Sequence, residues 1–350
     1  MKKKLAFFLS LSLLLSILAG CAGTTVVVGD SCTCPSGSHT STPEPSKPAE
    51  GAVKTGLAVV TGVSGSKNAE YADYDVTLVA VTVDDKGVID SCVIDSIGTK
   101  INFDATGTVT TALDSQIKTK TELGDEYGMK AYAGSKYEWY EQAAALAKYA
   151  QGKTVEELKS GAIDESGKAP AGSDLASTAT IYLGGYVGAI EKAVANAKHL
   201  GAQAGDELRL ASISSVGSSV SATAEKNGTA QLDCDVTAVT VKDGVITSCY
   251  IDSLQAKVSF DATGTITTDL TALVKTKNEL GDDYGMKAYA GAKFEWYEQA
   301  ENFAEYVTGK TAVQVAGIAV SEGKPADADL LASVTIAITG FQDLIAKVMG

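Results

Sequence analysis

The sequence predicts an α+β protein built from two copies of one module, each a small antiparallel sheet with packed helices. Three observations carry this: a long internal repeat, a valine-rich hairpin pattern in each copy, and helical apolar spacing after each hairpin. The repeat is the strongest. Thr99 to Ala143 returns as Ala256 to Ala300, displaced by 157 residues, with 32 of 45 positions identical. That period exceeds the roughly 20 to 50 residues of solenoid and propeller units, so each copy is expected to be a complete globular domain. The expected domains are residues 53–202 and 203–350.

Along the chain, Lys2, Lys3 and Lys4 precede an apolar run from Leu5 to Ile17, which closes on Leu18, Ala19, Gly20 and Cys21. A charged start, a short apolar stretch and small residues before a cut describe an export signal over residues 1–20. The run is shorter than the roughly 20 apolar residues a membrane span needs. Leu-Ala-Gly-Cys resembles the lipobox of bacterial lipoproteins. The resemblance implies lipidation of Cys21 and a protein of the cell envelope, lipid-anchored to a membrane and facing the extracytoplasmic side. Residues 21–52, rich in Ser, Thr, Gly and Pro, read as a flexible lipid-anchored tether, because such a composition buries too little apolar surface to offset its ordering entropy. Cys32, Cys34 and His39 lie there, but their spacing does not match structural zinc patterns and reads as an exposed thiol pair.

In the first module Val76 to Val83 alternates and is rich in β-branched residues, Asp85-Lys86-Gly87 turns the chain, and Val88 to Ser96 returns it. Asp235 to Val241, Asp243-Gly244 and Val245 to Ser253 repeat the hairpin in the second. A Gly/Thr segment around Asp104 to Gly107 and a Lys-Thr-Lys element at Lys118 to Lys120 follow. From Lys136 to Tyr149 the residues Trp139, Gln142, Ala143, Leu146 and Tyr149 fall on one helical face. Thr154 with Glu157 reads as a capping box, and Tyr186 to Ala197 as a last helix. Strands and helices mix without βαβ alternation, which is the α+β class.

Net charge is −14 and Arg209 is the only arginine, so the surface repels polyanions and nucleic-acid binding is excluded. His39 and His199 are the only histidines and have no equivalents in the other copy, which argues against a His triad or His-rich metal centre. Cys92, Cys234 and Cys249 read as small buried hydrophobes. With Asp243-Gly244 as the turn, Cys234 and Cys249 are about four positions from facing each other, too far for a disulfide.

The order of a valine-rich hairpin, a Lys-Thr-Lys segment, a Gly-Lys-Thr-Val helix start and an Asp-x-x-Ser-x-Ala-Thr element before an alanine-rich helix resembles the FMN-binding domain. That domain occurs in the C subunit of sodium-translocating NADH:quinone reductase and in flavinylated extracellular lipoproteins. In that family a Ser-Gly-Ala-Thr element presents a threonine whose oxygen forms a phosphoester with FMN, attached by a flavin transferase. The resemblance implies that Asp174, Ser177, Ala179 and the acceptor Thr180 form this element in the first module, with Thr178 standing where the family has glycine. Asp329 and Thr335 alone remain of it in the second. The competing reading makes Asp174 and Ser177 a cap of the last helix and Thr180 a partly buried helical residue.

Tyr127, Met129 and Lys130 recur as Tyr284, Met286 and Lys287, aromatic and thioether groups suited to flank a flavin ring and lysines suited to neutralise its phosphate. Trp139 and Trp296 fit the core, and Lys118, Lys120, Lys275 and Lys277 a solvated strand edge. Asp125 with Glu126 reads as solvated loop charge rather than a hydrolytic pair. The function implied is flavin-based electron transfer in the cell envelope, a redox carrier or binding protein rather than a substrate-turnover enzyme, with a membrane redox partner. The alternative is a flavin-free surface lipoprotein that binds a small ligand or an envelope protein.

Overall fold

The computed structural model describes residues 51–350, and the predicted signal segment, Cys21, Cys32, Cys34, His39 and nearly all of the predicted tether lie outside them. The first sheet holds β1 (Lys54–Gly62), β2 (Tyr71–Val83) and β3 (Ile89–Asn102) as an antiparallel meander. After it come α1 (Lys120–Leu123), α2 (Met129–Ala133), α3 (Trp139–Ala150), α4 (Val155–Ala162) and α5 (Gly184–Ala195). The second module repeats the order with β4 (Glu207–Ser215), β5 (Gly228–Lys242), β6 (Val245–Phe260), α6 (Lys277–Leu280), α7 (Met286–Ala290), α8 (Trp296–Val307), α9 (Ala312–Ala316) and α11 (Thr339–Met349), and adds a two-stranded sheet of β7 (Val320–Ser321) and β8 (Lys324–Pro325) and a helix α10 (Ala328–Leu331) where the first module has only the turn Leu175–Ser177. The class is α+β, as the sequence predicts. No helix among the described residues is long and apolar enough to cross a membrane.

The hairpin turns follow from their residues. Asp84 Oδ1 accepts from the backbone N–H groups of Lys86 and Val88, and Gly87 takes a φ of 83°. The second turn is tighter, with Asp243 and Gly244 at φ 52° and 76°, the pair of left-handed residues a two-residue hairpin loop requires. The outer strands β1 and β4 were not evident in the sequence. The expected helix from Lys136 begins at Trp139, because Glu138 takes the N-cap in an extended conformation and forms a capping box with Glu141. The last helix of the first module begins at Gly184, two residues earlier than expected. Thr154 and Glu157 form the predicted capping box of α4.

Each strand pair buries two faces. Along β2 the side chains of Ala72, Tyr74, Val76, Leu78 and Ala80 point inward, and Val79 and Val81 point toward α3, α4 and α5. In β5 the inward set is Ala230, Leu232, Cys234, Val236 and Ala238, with Val239 and Val241 facing α8, α9 and α11. The inward sets meet each other. A single central core holds residues of both modules, so the layers run helices, sheet, sheet, helices. The expectation of two self-sufficient domains meets a different arrangement: neither sheet closes its inner face without the other, and residues 51–350 fall within one compact unit. Each fully buried aliphatic side chain in that core contributes about 1.5 to 3 kcal/mol.

Doubled residues of the repeat build this junction. Phe103 and Phe260, both buried, stack with centroids 4.0 Å apart and rings 2° from parallel. The Gly/Thr segments cross over: the Ala222 N–H donates to Gly107 O at 2.7 Å and the Ala69 N–H donates to Gly264 O at 2.8 Å. A Cβ on Gly107 would lie 2.8 Å from Asp261 O, and one on Gly264 would lie 2.5 Å from Asp104 O, which is why both positions need glycine. At the rims β1 runs beside β6 and β3 beside β4. There Lys192 of α5 donates to Val59 O at 2.8 Å and pairs with Glu279 of the other module at 2.7 Å. Lys347 of α11 does the same with Ser212 O and Glu122. Ala52 bridges to Gln203, so Gly51 and Ala52 belong to the folded part rather than to the predicted tether.

Candidate functional site

The two threonines lie in equivalent loops between a short helical turn and the last helix of each module. Thr180 and Thr335 are both exposed and outside any helix, unlike the partly buried helical position of the competing reading. Each loop is held by one fully buried glutamine. Gln142 Oε1 accepts from Thr180 N–H at 2.8 Å, Thr180 Oγ1 at 3.2 Å and Ile181 N–H at 3.2 Å. Gln299 Oε1 accepts from Thr335 N–H at 2.8 Å, Thr335 Oγ1 at 3.1 Å and Ile336 N–H at 3.2 Å. The amide nitrogens are fixed in turn: Gln142 Nε2 donates to Tyr137 O at 3.0 Å and to Ser135 Oγ, and Gln299 Nε2 donates to Phe294 O at 3.0 Å. The sequence shows Gln142 only as a face position of a helix and does not single out Gln299, although the identical Trp-Tyr-Glu-Gln-Ala in both copies is a signal.

The remaining residues of the element are local. Ser177 Oγ donates to Asp174 O at 2.7 Å, Ala179 is buried, and the Asp174 side chain forms no cap. The predicted capping pair of the last helix is therefore not formed. In the second module Asp327, rather than Asp329, caps α10, accepting from the N–H groups of Asp329 and Leu330. Thr178 stands at φ −118°, an ordinary conformation, so the backbone here does not require the glycine of the family pattern. Ser333, its counterpart, is also outside the left-handed region.

Met129 and Lys130 open α2, and Glu138, 2 % exposed, holds both: its carboxylate accepts from Met129 N–H at 2.8 Å and Lys130 N–H at 3.0 Å. Glu295 holds Met286 and Lys287 in the same way at 2.7 and 2.9 Å. The thioethers reach the threonine loops through the glutamines, with Met129 Sδ 3.8 Å from Gln142 Nε2 and Met286 Sδ 3.9 Å from Gln299 Nε2. The ammonium groups are already paired, Lys130 with Glu141 at 2.7 Å and Lys287 with Glu298 at 2.6 Å. Those pairs hold both lysine pKa values above their ordinary range and oppose the predicted role of neutralising a phosphate.

Another pair of lysines sits among the aromatic rings. Lys120, expected on a solvated edge, is buried, its Nζ 5.3 Å from the Trp139 ring, 5.4 Å from Tyr127 and 3.8 Å from Asp75. Lys277 lies 4.8 Å from the Trp296 ring and 5.3 Å from Tyr284, and burial lowers its pKa. Lys118 and Lys275 are exposed as predicted, but in the irregular segments that lead into α1 and α6 rather than on a strand edge. Trp139 and Trp296 are core residues, and the Trp139 indole donates to Tyr186 Oη at 3.0 Å. Beneath α6, burial pushes Asp252 up to about 6 against the hydrogen bonds it accepts from Thr276 and from the N–H groups of Ser253 and Asn278. Asp95, its counterpart, is shifted the same way by burial.

Each module thus gathers an exposed threonine, a glutamine brace and a methionine on one side of its long helix, and Tyr127 or Tyr284 with a lysine and a tryptophan at that helix's start. Cys92, Cys234 and Cys249 are free and buried, with thiol pKa values pushed up to about 12 by desolvation. Cys234 faces Leu254 and Cys249 faces Val239, so the predicted absence of a bridge between them holds. No cluster of metal-ligating side chains occurs among the described residues. No protein-family model matches the chain, and neither a curated protein nor a solved structure is significantly similar to it.

Proposed function

We propose that this protein is an envelope lipoprotein anchored through Cys21 that carries FMN on Thr180, and to a lesser extent on Thr335, and passes electrons between a membrane donor and an acceptor outside the membrane. The observation that carries the reading is the doubled threonine brace: two exposed hydroxyls in equivalent loops, each anchored by a buried glutamine at 3.1 to 3.2 Å. An acceptor hydroxyl must be reachable by a transferase and must hold its place when loaded, and an exposed side chain on a pinned backbone meets both needs. The ordinary φ of Thr178 supports the fit, since the residue in the glycine position imposes no strain.

Flavin, once bound, supplies reversible electron uptake and release. The chain's own part is to fix the loop through Gln142, to offer the thioether of Met129 beside it, and to keep the attachment side open to solvent. The test is production of the exported chain with and without a flavin transferase, followed by denaturation, visible spectroscopy and peptide mapping. Yellow colour that stays with a peptide containing Thr180 supports the reading, and a colourless denatured chain from the transferase-containing host overturns it.

A second reading, a flavin-free lipoprotein that binds a small ligand, is favoured by one observation: a cavity of about 580 Å³ away from either threonine loop.

A further inference from the structure

That cavity opens where the first module hands over to the second. One wall is the connecting segment Lys198 to Leu200, tied to β1 by paired backbone hydrogen bonds between Thr55 and Lys198 of 2.9 and 3.0 Å. The floor is the stretch of β6 around Tyr250, and the other wall is α8 with Glu301, Ala304 and Glu305. Its volume of about 580 Å³ falls in the small-ligand class of roughly 300 to 1,000 Å³.

The chemistry of the rim is where the two copies differ. Tyr250, Glu301 and Glu305 stand where the first module has Val93, Ala144 and Lys148. Compared with the equivalent place in the first module, this corner carries one more aromatic ring and two more carboxylates and lacks one lysine. The corner they form already holds a cation: the Lys198 ammonium pairs with Glu301 and lies 5.5 Å from the centroid of the Tyr250 ring. Glu305, one helical turn beyond Glu301, is exposed and forms no ion pair among the described residues. His199, which also lines the cavity, is hydrogen-bonded to Asp85 at 2.9 Å.

We propose that this cavity binds a small organic cation with an apolar body, an aryl-alkyl ammonium being the simplest form. The nitrogen sits between the Tyr250 ring and the carboxylates of Glu301 and Glu305, and the body lies on Ile251 and Ala304. Lys198 acts as an internal competitor that the ligand displaces from Glu301. This inference does not depend on flavin attachment, which involves none of these residues.

The test is calorimetric titration of the full chain with phenethylammonium at about 0.15 M salt, where long-range attraction to the acidic surface is screened within roughly 8 Å. Saturable binding with one site is expected. Glu305→Lys, which restores the residue of the first module at an exposed position, weakens it about tenfold, a loss equivalent to ~1.4 kcal/mol. Tyr250→Val weakens it as well, and Lys198→Ala strengthens it. Asp343→Asn, an exposed acid on α11, leaves it unchanged. The proposal is overturned by a linear, unsaturated heat, by a Glu305→Lys protein that binds like the parent, or by equal losses in Glu305→Lys and Asp343→Asn.

Discussion

Replacing Phe103 by alanine removes one ring of the stack at the junction of the two sheets. Both rings are buried, at 1 % and 0 % exposure, and they lie 4.0 Å apart. A buried Phe→Ala change costs about 3 to 5 kcal/mol, and the cavity it leaves borders residues of both modules. For a chain of this size about 2 °C of melting temperature accompanies each kcal/mol, so a fall of about 6 to 10 °C is expected. Each module carries one tryptophan, Trp139 in the first and Trp296 in the second. Trp139→Phe and Trp296→Phe proteins therefore report the unfolding of one module at a time by fluorescence. If the central core is shared, Phe103→Ala lowers the midpoint seen by both reporters by the same amount relative to their own parents. A Trp296 transition that stays in place while the Trp139 transition moves would refute the shared core and restore two independent domains.

The other predictions concern the brace and the buried acid. Gln142→Ala leaves the Thr180 and Ile181 N–H groups without their acceptor and is expected to cost about 1 to 3 kcal/mol, with faster amide exchange confined first to those two residues; unchanged exchange at both would contradict the brace. Asp252 has a folded pKa of about 6, above the unfolded value near 3.9, so the folded state binds the extra proton between them. Stability from this group is present in full below about pH 4 and is lost as pH rises through about 6. Asp252→Asn should therefore stabilise the protein at pH 7 by roughly 2 to 3 kcal/mol relative to its effect at pH 4, and a pH-independent difference in urea unfolding would show the carboxyl to be ordinary.

What the sequence made legible was local. Asp243-Gly244 specifies a left-handed two-residue turn whatever surrounds it, and Thr154 with Glu157 closes a capping box within four residues, so both appeared in the structure as expected. Cys92, Cys234 and Cys249 read as small buried hydrophobes within strand segments, and all three are buried. Less legible were features that depend on partners distant in the chain. An inward row such as Tyr74, Val76 and Leu78 reads the same whether a helix or a second sheet covers it, so the shared core was invisible until both sheets were in view. β1 and β4 pair only with strands that follow later and differ between the copies, Lys-Thr-Gly-Leu-Ala against Glu-Leu-Arg-Leu-Ala, which hid them from a repeat-based reading. Lys120 read as surface because lysine usually is; Trp139 and Tyr127, which cover it, come from elements that follow it. The Thr180 loop was legible as a motif, whereas its anchor Gln142, 38 residues earlier, was not.

The measurement that bears most directly on the proposed function is the intact mass of the denatured chain, wild type against Thr180→Ala and Thr335→Ala, each produced in exported form with a flavin transferase. The account predicts one added FMN on the wild-type chain, or two where Thr335 is also used, with the Thr180 adduct lost in Thr180→Ala and any second adduct lost in Thr335→Ala. An unmodified wild-type mass without flavin absorbance, or an adduct that persists when both threonines are replaced, would contradict it.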